Sequence, residues 1–499
     1  MKNIISINKD NLKYNFLCIK NNVCKNKERI FPVLKANAYG MNANYIANAL
    51  LELNEFNEKS FVVFSIQEAI SLKEHFKDKI KDIFVLDGVI YNNEAEYCKY
   101  SLTPIFNNFE ELKTFQNYLN KNNIVKGVCL QFNSGMNRNG FDMDKIPSIK
   151  KFISNNNVEL KAIITHFACA DDKNHIVSKQ QLSNCKVLKK EFPNVETSFY
   201  ATNASINFEN EVNTNIIRVG AGLYGIGTKR YLNGQLKQVF SLKSLVEMKD
   251  NQLMIGIGLN DGLFEEYGKK GYVLIDGEKI YIKSIFDDYC ILNIKNDFDK
   301  YLNKYALLTG YNDKDFIHID DFGSMNDTIG YEMQVRIMHN VNLKNKKFIL
   351  FDEKNNELKF DYNNDFNYYT LNTYKKQLYS RITEIRHIKD KNSYVGYDAI
   401  YRAHENEILL TIIGGYADSF YRNYKGQILY LKCDSKYLTC KIVGKISMDQ
   451  IIVSIDNNVL QNVYINQKVM VYDENKYYKK LNKKYMNFLI KNNLRIKMI

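Results

Sequence analysis

Lys35 is a residue whose type and position together could support catalysis. It directly follows an apolar run, Phe31–Leu34, that predicts a buried β-strand. A lysine at the C-terminal end of a parallel strand has apolar side chains of the strand on one side and the polar, solvent-facing end of the sheet on the other. Such a lysine can form a Schiff base with pyridoxal phosphate, whose ring accepts electrons from a carbanion. A surface lysine is the simpler explanation of one such residue, so the remaining strand ends decide the interpretation.

Other predicted strands of the first half also end in polar side chains that suit catalysis and anion binding. These are Arg138, His166, Asn203 and Arg218. Gly220 and Gly222 follow the last of these strands, where glycines let the backbone approach an anion closely. The loops after strands 7 and 8 of a (β/α)₈ barrel commonly bind phosphate. Each residue alone is most simply structural, but their convergence at strand ends indicates an active site.

The elements that must position these residues are predicted by hydrophobic periodicity. Short apolar runs alternate with segments of helical period about every 25 residues between Ile30 and Gly225. Eight strand–helix units predict a (β/α)₈ TIM-type barrel, an α/β fold. A doubly wound sheet is the alternative, but its Gly-rich first turn is missing. The eight runs are Phe31–Leu34, Phe61–Phe64, Ile83–Leu86, Leu102–Phe106, Val128–Phe132, Ala162–Thr165, Ser198–Ala201 and Ile216–Val219.

The second half of the chain predicts mainly β-structure and contains two similar segments. Residues 242–294 run in parallel with residues 378–388 followed by 408–455, and each segment has a G-x-x-D step. Chance similarity of hairpins with biased composition is the alternative explanation. We divide the chain into a barrel (1–237), a degenerate β-domain copy (238–345), a linker (346–377) and a catalytic-type β-domain (378–499). In the degenerate copy, Phe286 stands where the later copy has Met448.

The ordered motifs LKANAYG, SGMNRNGF, THFA, IRVGAGLYG, GYDAIYRA, GGYADS and GKISMDQ resemble those of the alanine racemase family. This resemblance covers residues 1–237 and 378–499. It implies a pyridoxal-phosphate enzyme with a barrel and a C-terminal β-domain, in which two groups exchange the α-proton on opposite faces of the substrate. Lys35, which binds the cofactor, would be one group, and Tyr401 of a partner subunit would be the other.

The resemblance also assigns roles to the remaining site residues. Arg218 would face the pyridine nitrogen, and His166 would link Arg218 towards the tyrosine. The phosphate would be held by Tyr39, Asn203, Ala204, Gly220 and Ala221. The substrate would be bounded by Arg138, Met448, Asp449 and Tyr416. This chain departs from the family at Gln131, where a lysine is common, and at Ala204, where a serine is usual.

The chemistry of the resemblance sets an expectation for the two proton-exchanging groups. Free lysine and tyrosine have pKa values of about 10.4 and about 10, which are too basic for exchange near neutral pH. We therefore expect burial and neighbouring cations to lower both values. An arginine at the ring nitrogen keeps its proton and weakens the electron sink, which suppresses side reactions.

Composition limits the partners and the compartment. The net charge of +13 comes from scattered lysines and shows no basic stripe, which argues against nucleic-acid binding. Nine cysteines without CxxC spacing argue against a zinc ribbon or a disulfide framework, and no metal site is predicted. We expect a cytoplasmic homodimer with no membrane segment, supplying D-alanine for peptidoglycan. The alternatives are a racemase of serine or a basic amino acid, a barrel-type amino-acid decarboxylase, and a cofactor-binding pseudoenzyme.

Overall fold

The computed structural model describes residues 3–24, 28–89, 92–209, 211–227, 232–341, 348–359, 371–374, 377–390, 393–433, 436–455, 463–473 and 496–498. Residues 346–347, 360–370 and 375–376 of the predicted linker lie outside the described residues. No helix among the described residues is long and apolar enough to cross a membrane.

The first half forms the predicted (β/α)₈ barrel. Its eight strands pair in parallel, and single bridges from Val33 to Val62 and from Ala201 to Arg218 join the two sheets into a closed cylinder. All eight predicted apolar runs coincide with or overlap these strands. The strands are Arg29–Pro32, Ser60–Val63, Asp82–Val85, Thr103–Phe106, Val128–Asn133, Leu160–Ile164, Glu196–Ser198 and Ile216–Val219.

Helices pack their apolar faces onto the outside of this barrel. Ser65 begins one of them with a capping box, since its hydroxyl accepts from the N–H of Glu68 while the Glu68 carboxylate accepts from the N–H of Ser65. The helices of this half are Lys9–Val23, Ala43–Leu51, Ile66–Phe76, Glu94–Lys99, Phe109–Lys121, Ile146–Asn156, Ile176–Glu191, Thr202–Asn207 and Ala221–Tyr224, and Lys35–Tyr39 is a short turn of left-handed backbone.

The first β-domain, residues 240–341, contains a closed antiparallel sheet followed by two helices. Alternating burial along Phe240–Lys249 shows why this segment is a strand, because one face packs inward and the other faces solvent. Its strands are Phe240–Lys249, Gln252–Ile255, Tyr272–Ile275, Glu278–Ile285, Cys290–Leu292, Tyr305–Asn312 and Asp315–Ile317. Its longer helices are Ile319–Met325 and Gly330–Val341.

The second β-domain, residues 377–473, is also a closed antiparallel sheet with its own apolar core. Its main strands are Gln377–His387, Ile408–Ile413, Ile428–Cys433, Lys436–Val443, Gln450–Ile455 and Lys468–Asp473. A two-stranded hairpin, Tyr394–Val395 with Tyr401–Arg402, projects from it.

Strand pairing places three segments in β-domains and not in the parts of the chain expected from sequence. Asn3–Ile7, expected in the barrel, pairs with Phe240–Lys249 of the first β-domain. Phe348–Asp352, expected in the linker, is a strand that pairs in parallel with Asn3–Ile7. Leu371–Tyr374, also in the expected linker, pairs with Gln377–His387. Pairing between distant segments is a tertiary property, which explains why periodicity along the chain missed it.

Candidate active site

Lys35 opens a turn of left-handed backbone at the end of the first barrel strand. Ala36, Asn37, Ala38 and Tyr39 all have positive φ, between 51° and 58°. This conformation costs roughly 1–2 kcal/mol per residue outside glycine. Side-chain contacts hold the turn, because Asn37 Oδ1 accepts from the N–H of Ala43 at 2.7 Å and Glu68 accepts from the N–H of Asn37 at 3.3 Å.

Asp449 of the second β-domain forms an ion pair with Lys35. Its Oδ2 lies 2.7 Å from the Lys35 Nζ, and both side chains are largely buried. Burial lowers the pKa of Lys35, but the Asp449 carboxylate, with Tyr39 and Tyr397, outweighs it and the net shift is upward. The expectation of a lowered lysine pKa is therefore wrong for the chain as described, because sequence did not show the carboxylate beside the amine.

The Tyr397 side chain reaches the barrel mouth, where its hydroxyl contacts Arg138 and His166 of the barrel. Its hydroxyl lies 3.0 Å from His166 Nε2 and accepts from Arg138 Nη1 at 3.4 Å. The Arg138 guanidinium also lies 5.4 Å from the centre of the tyrosine ring. Burial raises the pKa of Tyr397, but the charges of Arg138 and Lys35 more than offset this and leave it below its usual value. A tyrosine with this environment is suited to proton exchange.

Tyr401 lies elsewhere, and the structure corrects its predicted role. Its hydroxyl donates to Glu407 Oε1 at 2.6 Å, and its ring packs on the apolar cluster that includes Val395. Burial and the Glu407 carboxylate raise its pKa. Tyr401 is paired with Val395 in the hairpin, whereas the turn that joins the two short strands carries Tyr397 into the barrel. Both tyrosines occur in GYDAIYRA, and only the fold of this turn distinguishes them.

The resemblance predicts that a partner subunit donates this tyrosine; in the single chain described, the chain's own second β-domain supplies the tyrosine at the barrel mouth. Tyr397 and Asp449 belong to the same chain as Lys35, and the second β-domain brings both to the barrel mouth. Backbone bonds fix the hairpin there: the N–H of Gly396 donates to Met136 O, and that of Asp398 donates to Ala168 O, each at 2.9 Å.

Arg218 is a buried cation of the site, and His166 lies within reach of its charge. Arg218 donates to the Ser198 carbonyl and hydroxyl and, at 2.6 Å, to the Thr165 carbonyl. Burial lowers the pKa of Arg218 to about 10. Burial and the charges of Arg138, Arg218 and Lys35 hold the pKa of His166 well below its usual value. His166 is therefore a neutral hydrogen-bonding partner of Tyr397, whereas the predicted contact was with Tyr401.

The predicted phosphate-binding residues lie where two short helices begin. Helices Thr202–Asn207 and Ala221–Tyr224 follow barrel strands 7 and 8, and the first N–H groups of a helix have no partner within it. A Cβ at Gly220 would clash with the Tyr39 hydroxyl, so a larger residue there would require the Tyr39 side chain to move. The Asn203 side chain instead donates to Asp171 at 2.7 Å, which leaves its backbone for an anion.

The predicted substrate side of the site combines buried apolar and polar groups. Tyr416 and Met448 are buried and belong to the same apolar cluster. Arg138 Nε is buried and has no hydrogen-bond partner among the described residues, so it can donate to a bound acceptor. Gln131 donates to the Asn139 carbonyl at 3.5 Å, and the Arg138 carbonyl accepts from Thr411 at 2.9 Å. Thr411 thus contributes to fixing Arg138.

Sequence reasoning missed the ion pairs that hold the second β-domain on the barrel. Arg381 pairs with Asp87 at the end of barrel strand 3, and Arg386 pairs with Asp142. All four residues lie in ordinary charged contexts along the chain. No local signal could have identified them, because the partners are separated by more than 240 residues.

Comparison with known proteins gives one consistent family. The model described as "Alanine racemase, N-terminal domain" matches residues 7–228, and that described as "Alanine racemase, C-terminal domain" matches residues 241–344 and 376–487. Alanine racemase of Fusobacterium nucleatum is 31% identical over 307 residues, which are 56% of this chain and 83% of the relative. That of Rickettsia africae is 27% identical over 356 residues, 66% of this chain and 95% of the relative.

Two solved structures share the fold. Alanine racemase from Bartonella henselae with covalently bound pyridoxal phosphate has a TM-score of 0.62 and 23% identity, covering 70% of this chain and 99% of that one. Alanine racemase from Clostridium difficile in complex with cycloserine has a TM-score of 0.61 and 22% identity, covering 72% and 99%.

Proposed function

The chain belongs to the alanine racemase family, and we propose that Lys35 and Tyr397 exchange the α-proton of alanine from opposite faces. Membership makes it a pyridoxal-phosphate-dependent isomerase that interconverts L- and D-alanine. The proposal concerns which side chains do this. Racemisation removes a proton from one face and returns one to the other, so it requires two proton-exchanging groups at one site.

The observation that carries this assignment is the convergence of Lys35 and Tyr397 at the barrel mouth. The charge of each shifts the pKa of the other, which places them in one electrostatic environment. Arg138 and His166 both contact the Tyr397 hydroxyl and can orient it. Tyr401, by contrast, is occupied by Glu407 and faces an apolar cluster.

The residues present fit pyridoxal phosphate. The unpartnered Arg138 Nε offers a donor, and the Gly220 backbone, with the helix N-termini after strands 7 and 8, offers a cradle for phosphate. When bound to Lys35, the cofactor supplies an electron sink that acidifies the substrate α-carbon. Arg218 is held by three acceptors on the barrel, and its retained proton disfavours protonation of a neighbouring ring nitrogen.

The test compares two tyrosine variants of the cofactor-loaded enzyme with L-alanine as substrate. Tyr397→Phe removes a proton-exchanging hydroxyl, and we expect D-alanine formation to fall by roughly 10²–10⁴-fold. Tyr401→Phe is the matched control, and its rate should stay within a few-fold of wild type. Retained racemisation in Tyr397→Phe, or loss only in Tyr401→Phe, would refute the assignment.

Further assays on the same preparation test the alternatives that the sequence analysis named. Release of CO₂ from an amino acid would indicate a decarboxylase, and turnover of serine or basic amino acids would indicate a broader racemase. Bound cofactor with no turnover would indicate a pseudoenzyme. We further propose a cytoplasmic location and a role in supplying D-alanine for peptidoglycan, which are supported by the alanine racemase identity of the relatives.

The predicted homodimer rested on donation of the catalytic tyrosine by a second subunit. Because Tyr397 reaches the barrel of its own chain, this reason for pairing does not apply to the described site. The homodimer predicted from the resemblance stays a prediction, and the site proposed here does not depend on it.

A further inference from the structure

The two β-domains have the same closed strand order. In the first, Phe240–Lys249 pairs with both Gln252–Ile255 and Tyr305–Asn312, which closes a six-stranded ring. In the second, Gln377–His387 pairs with both Ile408–Ile413 and Lys468–Asp473, with the intervening strands in the same order. Both rings also carry an added antiparallel strand on their first strand, Asn3–Ile7 in one and Leu371–Tyr374 in the other.

The loops that follow the second strand of each ring also correspond. Asp261 accepts from the N–H of Gly258, as Asp418 does from Gly415. Leu259 and Asn260 donate to the carbonyls of Phe286 and Asp287, as Tyr416 and Ala417 donate to those of Ser447 and Met448. This register pairs Asp287, and not Phe286 as the sequence comparison had it, with Met448. The matching hydrogen bonds of the two loops therefore also support a duplicated unit.

Equivalent residues of the two copies touch each other. Phe264 and Tyr421 lie six residues after Gly258 and Gly415, and their rings are 5.5 Å apart. The guanidinium of Arg336 lies 3.9 Å from the centre of each ring. Contact between equivalent positions is the signature of an isologous, two-fold arrangement. Within this one chain, the two β-domains are thus arranged as the corresponding domains of a symmetric pair would be.

The two copies contact different parts of the barrel. The first lies along one side, where Asn8 donates its N–H to Val239 O and Gln334 of its last helix donates to Tyr39 O. The second lies over the mouth, where Asn137 donates to Tyr394 O and Asn139 donates to Gln450. The second copy alone has the hairpin turn that carries Tyr397. Each chain therefore has one barrel, one flanking copy and one closing copy.

We infer that a single chain is a complete catalytic unit, in which the second β-domain takes the position that a domain from a second subunit would otherwise take. This rests on the proposed function, since it uses Tyr397 and Asp449 as site residues. Because of the duplication, one polypeptide contains both the β-domain that flanks the barrel and the β-domain that completes the site. Lys35, Tyr397 and Asp449 then assemble at a rate and equilibrium that do not depend on protein concentration.

Cross-linking tests this inference without reference to activity. Lys389 of the second β-domain and Asp144 of the barrel form an ion pair at 2.7 Å, and their side chains are 71% and 51% exposed. A water-soluble carbodiimide joins such a pair as an amide. We expect the Lys389–Asp144 peptide in the single-chain band of a denaturing gel, and its absence in the Lys389→Gln control. Recovery of this peptide only from a two-chain band would overturn the inference.

Co-expression of two inactive variants tests it through activity. If Tyr397 acted in trans, Lys35→Ala and Tyr397→Phe chains expressed together would recover about a quarter of wild-type racemisation, because half of random pairs are mixed and each has one intact site. We expect no rate above that of the two variants alone. Wild-type enzyme in the same assay reports the proposed function separately, since its inactivity would refute racemisation while the cross-link could still form.

Discussion

At the scale of single residues, Lys35 and Tyr397 have pKa shifts in opposite directions. Burial lowers the pKa of the lysine, but Asp449 together with Tyr39 and Tyr397 raises it overall; burial raises the pKa of the tyrosine, but Arg138 together with Lys35 lowers it overall. The free lysine is therefore an ammonium ion at neutral pH, and the tyrosine gives up its proton more easily than a free phenol. Bond formation between Lys35 and the cofactor requires a neutral amine. Because the Asp449 carboxylate favours the ammonium form of Lys35, it opposes this step.

Replacement of Asp449 should change how cofactor attachment depends on pH. Asp449→Asn removes the charge that raises the pKa of Lys35, so the neutral amine should form at lower pH. Each pH unit of displacement would increase attachment about tenfold at a fixed pH below the midpoint. The measurement is the rate of cofactor attachment to the cofactor-free protein, followed by absorbance between about pH 6 and about pH 10, which lies below the raised pKa of the wild-type amine. Equal rates for the two proteins at every pH in this range would show that the ion pair does not control the amine.

At the scale of elements, the left-handed turn after the first barrel strand sets the position of Lys35. Four successive residues have positive φ, and buried side chains on both sides hold them. The chain uses alanine twice in this turn, and alanine tolerates the conformation better than a β-branched residue does. The strain is offset by the contacts of Asn37 with Ala43 and Glu68.

Substitution at Ala38 should reveal this strain. Ala38→Val places a β-branched side chain at φ 54°, and we expect a loss of about 1–3 kcal/mol in the free energy of unfolding. Cofactor attachment at Lys35 should fall with it, because the turn positions the amine. Ala38→Gly is the control, with unfolding within about 1 kcal/mol of wild type. Denaturant unfolding and cofactor absorbance measure both effects, and equal stability of the Val variant would contradict the prediction.

The contact between the barrel and the second β-domain contains buried acids. Burial raises the pKa of Glu111 to about 8, of Glu384 to about 7 and of Asp87 to about 6, although Arg381 and Arg386 oppose these shifts. A carboxyl group whose pKa is raised on folding binds its proton more tightly in the folded state. Its contribution to stability is present below its unfolded pKa and is lost as the pH rises through the folded pKa.

Glu111→Gln should therefore change the pH dependence of stability. The free energy of unfolding of the wild type should fall between about pH 4 and about pH 8. The fall should exceed about 1.4 kcal/mol, because one pKa unit corresponds to about that free energy and the pKa of Glu111 is raised by more than one unit. The Gln variant should lose less over the same range, because an amide does not ionise. Thermal unfolding of both proteins across this range measures the difference, and parallel curves would exclude Glu111 as the source.

At the scale of the whole molecule, the length of the chain follows from its duplicated domain. The match to the Bartonella henselae structure covers 99% of that chain but only 70% of this one. Close to a third of this chain therefore has no counterpart there. The additional β-domain is located where a second subunit would otherwise be needed. The contact of Phe264 with Tyr421 across Arg336 stabilises this arrangement inside one polypeptide.

Dilution provides the test at this scale. Specific activity should stay constant from about 1 µM to about 1 nM enzyme, because a site within one chain does not dissociate. Cofactor should be in excess throughout, so that its loss is not mistaken for subunit separation. A decline that is reversed on concentration would show that a second chain completes the site.

The sequence by itself determined the barrel and the family, and it predicted residues for the site. The apolar runs recur at the spacing that a parallel barrel requires, and Lys35, His166 and Arg218 follow them in motifs that are local in sequence. Tertiary structure decided which tyrosine of GYDAIYRA enters the barrel, that Asp449 pairs with Lys35, and that the second β-domain closes the site of its own chain. These features depend on contacts between residues hundreds of positions apart, and hydrophobic periodicity records only local burial.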